Sequence, residues 1–90
     1  MKKGQVVYST AGRDKNRFLA VVGFERGYCL VVDGKERPLE RPKRKNLKHL
    51  NMTDRFLEEQ CYRSNRSVRA ALKAVTRSEK MNSERGHSNV

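Results

Sequence analysis

Apolar residues fall in short bursts over the first half of the chain and at helical spacing over the second. Residues 5–9 (Gln-Val-Val-Tyr-Ser) alternate as a strand should, and a polar stretch from Gly12 to Asn16 then breaks the pattern. Residues 17–24 are apolar on both alternating faces, which predicts a strand covered on its two sides. Glu25-Arg26-Gly27 reads as a short turn and residues 28–32 as a third strand. Asp33-Gly34 is a dipeptide favoured in two-residue hairpin turns, where both central residues need positive φ. It predicts a return strand over residues 36–39, which Pro38 would confine to a sheet edge because proline cannot donate to a ladder. Residues 46–50 complete the set as a fifth strand. Five short strands with tight turns in about 45 residues predict a small barrel rather than a sandwich.

From Thr53 the composition shifts to Ala, Leu, Glu and Arg. A first helix would be capped by Thr53, with Met52 and Leu57 spaced as a hydrophobic staple. A second, capped by Ser64 or Asn65, would run to about Arg77. At 100° per residue Val68, Ala71, Leu72 and Val75 share one side, while Arg66, Arg69, Lys73 and Arg77 share the other. The apolar stripe is expected to dock on the barrel. Residues 78–90 are polar and aperiodic, too poor in apolar surface to offset their ordering entropy, and are expected to be disordered. The resulting division is a barrel over residues 1–50, a helical extension over 51–77 and a tail over 78–90.

Charge changes this picture from a fold to a function class. Lys and Arg number 21 against 10 Asp and Glu, a net charge of +11 in 90 residues. Such a field attracts polyanions: nucleic acid, an anionic membrane surface or an acidic protein. The apolar run from Phe18 to Phe24 is far short of the roughly 20 residues that span a bilayer. Met-Lys-Lys-Gly at the start is not followed by the apolar stretch of a signal peptide. The two cysteines, Cys29 and Cys61, are too few for a disulfide framework and read as reduced thiols. The expected compartment is the cytoplasm, with no membrane partner.

Two segments concentrate the charge. In Gly12-Arg13-Asp14-Lys15-Asn16-Arg17, glycine permits a left-handed backbone and close approach of a partner. Asp14 is expected to bond nearby amides and hold the loop, leaving Arg13, Lys15 and Arg17 to point outward at phosphate oxygens. Further on, Arg41, Lys43, Arg44, Lys45, Lys48 and His49 occur without an acid among them. Like charges this dense repel unless an anion neutralises them. The basic helix face of Arg66, Arg69 and Lys73 is a secondary candidate, and the alternative there is an ordinary solvated face. Tyr8, Tyr28 and Tyr62 are candidates for base stacking, against packing as the plainer role.

The stretch from Gly4 to Lys15, an apolar strand feeding a loop of glycine and basic residues, resembles the KOW motif. Together with the following apolar strand, Asp33-Gly34 and the basic 41–50 segment, residues 4–50 resemble small KOW-containing proteins of the eukaryotic and archaeal large ribosomal subunit. The resemblance covers about half the chain and fits the helical end only loosely. It implies a mainly β fold, an SH3-like barrel followed by one or two helices, that binds RNA, ribosomal RNA in particular, and performs no catalysis.

No Cys-x-x-Cys or His-x-x-x-His spacing suggests a metal, and no phosphate loop or dinucleotide fingerprint suggests a cofactor. The expectation is an RNA-binding protein with no cofactor, contacting phosphates through Gly12, Arg13, Lys15, Arg17, Lys43, Arg44, Lys45, Lys48 and His49. The alternatives are a module docking an acidic protein partner in transcription or RNA processing, and a DNA-binding protein. The latter is disfavoured by the lack of a clear helix-turn-helix pair.

Overall fold

The computed structural model describes the backbone of residues 2–88 and the side chains through residue 79. Among the described residues five strands form one antiparallel sheet: β1 (Gln5–Ser9), β2 (Phe18–Glu25), β3 (Tyr28–Val32), β4 (Lys43–Asn46) and β5 (Leu50–Phe56). Their order across the sheet is β4-β3-β2-β1-β5, so β4 and β5 are its two edges. The expected closed barrel is therefore not seen; the sheet is open between those edges. Short 3-10 turns occupy Leu47–His49 and Glu59–Tyr62, and a single helix, α1 (Asn65–Ser88), ends the described chain. Among the described residues no helix is long and apolar enough to cross a membrane.

The double apolar pattern of β2 finds its cause in two cores, one on each face of the sheet. Val7, Leu19, Val21, Cys29, Val31 and Leu50 form the first. On the other face Val6, Ala20 and Val32 meet Val68, Leu72 and Val75 of α1, with Phe18, Val22, Leu39, Leu57 and Tyr62 around them. The expected apolar stripe of α1 thus docks on the sheet. Ser64 caps the helix, its Oγ accepting from the Ser67 amide at 3.1 Å. Arg55 of β5 ties the far side of α1, donating to Ser78 Oγ at 2.8 Å and lying 3.5 Å from Glu79. The helix continues past Arg77, where it was expected to stop. The tail expected to be disordered over residues 78–90 is instead helical in its backbone through Ser88; residues 89–90 and the side chains from residue 80 lie outside the described residues.

Three elements differ from expectation. Asp33-Gly34 does not make a two-residue hairpin, and residues 36–39 are not a strand. Instead Asp33 Oδ1 accepts from the amides of Lys35 and Arg37 at 2.8 and 2.9 Å, satisfying locally the groups a ladder would use. The fourth strand is Lys43–Asn46, paired with β3 from Tyr28↔Asn46 to Val31↔Lys43. Its lysines suit an edge, where charge discourages pairing with another chain. Residues 46–50 are mainly a 3-10 turn, with Asn46 Oδ1 accepting from the Lys48 amide at 3.1 Å. The first helix does not form either. Thr53 lies in β5 against β1, its hydroxyl donating to the Val6 carbonyl at 2.7 Å, and Met52 is 61% exposed rather than stapled to Leu57.

Gly34 is where the 33–42 loop meets α1. Its φ is +80°, and a Cβ there would lie 2.3 Å from the Asn65 carbonyl oxygen and 3.0 Å from the Arg69 nitrogen. Gly27, also left-handed at φ +74°, has nothing within 4 Å. We expect Gly34→Ala to destabilise the protein by about 3 kcal/mol and Gly27→Ala by only about 1 kcal/mol, in urea unfolding. Equal losses would show that the helix does not press on this loop.

Candidate nucleic-acid interface

The loop of residues 10–17 joins β1 to β2 and is shaped by its own backbone. Gly12 and Asn16 take positive φ, +80° and +69°. Lys15 donates to the Gly12 carbonyl at 3.1 Å, Arg17 to Asp14 at 3.0 Å and Asn16 to Ser9 at 2.8 Å. Tyr8 Oη donates to Asn16 Oδ1 at 3.0 Å while its ring meets Phe18 edge-on at 5.1 Å. The 41–49 segment abuts this loop: the Thr10 amide and hydroxyl both donate to the His49 carbonyl, at 2.9 and 3.0 Å.

Asp14 has a role the sequence did not suggest. Rather than bonding to nearby amides, its carboxylate is fully buried and makes no hydrogen bond. Three cations surround it: Lys43 Nζ at 3.3 Å, Lys45 Nζ at 3.7 Å and Arg37 Nε at 3.9 Å. Lys45 is itself 6% exposed and donates to the Ala11 carbonyl at 2.6 Å. Gly12 leaves room for that ammonium, since a Cβ there would stand 3.2 Å from Lys45 Nζ. One negative charge among three positive ones leaves an excess of two beneath the loop, which favours an anion above it.

The expected contacts therefore divide. Arg13 and Lys15, on either side of Asp14 in sequence, are exposed, as is Lys48. Among the described residues none of these three has a carboxylate within ion-pair distance. Arg17 lies 3.4 Å from Glu36, both more than half exposed, a pairing that water and salt weaken. Lys43 and Lys45 turn inward to Asp14, so Lys45 is a structural cation rather than a surface one. Arg44 points the opposite way, 3.7 Å from Glu25 and 5.5 Å from the Tyr28 ring centroid. His49 is half-buried. The basic run is thus not one patch, because neighbouring residues of a strand face opposite sides.

On α1, Arg66, Arg69 and Lys73 are exposed, and the last two share a groove with Arg17 and Lys35. The end of the loop, at Asn16 and Arg17, and the helix face consequently line one groove. Lys35 was missed because a hairpin was expected there; only the Asp33-centred turn brings it to the groove. Cys29 and Cys61 are thiols, and burial pushes Cys29 up from its ordinary value.

No family model matches the chain, and no curated protein does so at a significant level.

Removing the charge of Asp14 should leave its cations facing each other. We expect Asp14→Asn to cost about 3 kcal/mol of stability, read by thermal or urea unfolding. A loss near zero would mean that the buried carboxylate does not hold the loop. Cys61, half-buried, should react with a thiol reagent well before Cys29, whose modification should follow the rate of opening. Equal rates would contradict the burial of Cys29.

Proposed function

We propose that the chain is a KOW-type RNA-binding protein that grips the phosphate backbone of structured RNA with its 10–17 loop and the 41–49 segment beside it. The observation that carries this reading is the exposed pair Arg13 and Lys15, without carboxylate partners among the described residues, flanking in sequence the buried Asp14, which holds the buried Lys45 and the half-buried Arg37 and Lys43. Arg presents a planar fork to phosphate oxygens and Lys a compact charge. We read the open sheet as an SH3-like barrel left unclosed between β4 and β5. The strand order and the 3-10 turn linking those two edges support that reading. Ribosomal RNA, within or during assembly of the large subunit, is the proposed partner, and the cytoplasm the proposed compartment. Phosphate contacts of this kind position the protein on RNA without reporting its sequence.

Four surface cations, Arg13, Lys15, Arg17 and Lys48, are the proposed phosphate contacts. If all four engage, log K should fall with log salt at a slope of about −2.8 to −3.6. Arg13→Gln with Lys15→Gln should weaken binding to a ribosomal RNA fragment on the order of 10- to 100-fold with Tm unchanged. Lys45→Gln should instead lower Tm, since its ammonium is internal. Binding by fluorescence anisotropy against salt, with duplex DNA as competitor, reads all of these. A slope near zero, or capture of an acidic protein that resists RNase, would replace this reading with that of a protein-docking module.

A further inference from the structure

Between the end of the 10–17 loop and the first turns of α1 lies a groove of about 340 Å³, within the range of sites that hold small molecules. Arg17 and Lys35 line it from the sheet side and Arg69 and Lys73 from the helix. Asp33 is the carboxylate in its wall, and that oxygen pair is partly spent: Oδ1 accepts from two backbone amides. Phe18 and Leu72 add apolar surface between the cations. Leu72 belongs to the helix–sheet core and Phe18 packs against it, so the apolar floor of the groove is the margin of that core.

Resting on the RNA-binding reading above, we propose that this groove holds one unpaired nucleotide of the bound RNA. Its phosphate lies among the cations, and its base lies against Phe18 and Leu72. A base inside a duplex is stacked and cannot reach such a site, whereas bases in loops and bulges are free to leave the stack. Aromatic and apolar contacts with a splayed base tolerate sequence, and an amide can add preference. Asn16 Oδ1 already accepts from the Tyr8 hydroxyl, which leaves its amide N–H groups to donate to a base edge. The 10–17 loop and α1 would then clamp the same strand from two sides. The protein accordingly selects RNA that presents an unpaired position next to a helix.

The test uses the full chain and two fluorescent RNAs, a stem closed by a loop of unpaired uridines and the same stem as a blunt duplex. Arg69→Gln with Lys73→Gln alters only exposed side chains, and circular dichroism melting checks that the fold is kept. This variant should lose on the order of tenfold in affinity for the looped RNA, with the salt slope shallower by about 1.4. Its affinity for the duplex should change by no more than about twofold. In the unaltered protein, the Phe18 ring resonances should shift on adding the looped RNA and not on adding the duplex. If this variant holds the looped RNA as well as the unaltered protein while Arg13→Gln with Lys15→Gln does not, the groove is unused although RNA binding stands. Equal losses on the two RNAs would reduce the groove to a backbone contact and overturn the nucleotide site. Failure of the unaltered protein to bind either RNA would remove the functional reading itself.

Discussion

The buried carboxylate of Asp14, set among Arg37, Lys43 and Lys45, joins three segments that local sequence preference would not bring together. It belongs to the 10–17 loop, Arg37 to the turn after β3, and the lysines to β4. Taking such charges out of water is costly, and mutual attraction offsets the cost only when the groups stay together. The arrangement therefore works as a constraint: the loop can take this shape only with β4 in place, and β4 is held at the sheet edge although Lys-Arg-Lys-Asn is a poor strand sequence. With Asp14 and Lys45 drawn inward, Arg13 and Lys15 are left outside.

The second constraint is that one small sheet is covered on both faces. β1 and β2 contribute alternately to the two cores, Val6 and Ala20 to the helix side and Val7, Leu19 and Val21 to the other. Burial of α1 through Val68, Leu72 and Val75 brings its basic side next to the loop, because the residues that dock and the residues that face water occupy opposite flanks of the same turns. The close approach at Gly34 sets how near the helix comes. Positioning of Arg69 and Lys73 beside Arg17 follows from hydrophobic packing, and the charge gathered there is a consequence of it.

The site was legible in part. Gly12 has the positive φ expected of it, and Arg13 and Lys15 point outward as a glycine-basic loop suggests. The 41–49 segment was read by charge density alone, and charge density has no period. Once residues 43–46 are a strand, period two sends Lys43 and Lys45 inside and Arg44 to the other face. Asp14 illustrates the same gap: an acid in a turn ordinarily bonds local amides, and only tertiary contacts with distant cations make a buried pairing the better arrangement. Lys35 escaped notice because its place depends on Asp33 capping a wider turn.

What the chain determined unaided is what depends on short-range pattern. The bounds of β1 and β3, the two-faced character of β2, the cap at Ser64 and the apolar stripe of α1 follow from alternation, helical spacing and a serine before a helix. Tertiary structure decided whether residues 50–56 would be strand or helix, since β1 needed a partner along its open edge and Thr53 could bond to it. It decided likewise where the fourth strand fell and which lysines stayed in water. Those outcomes turn on pairing between residues far apart in the chain, where ladder bonds and buried charges outweigh the weak local preferences that a sequence displays.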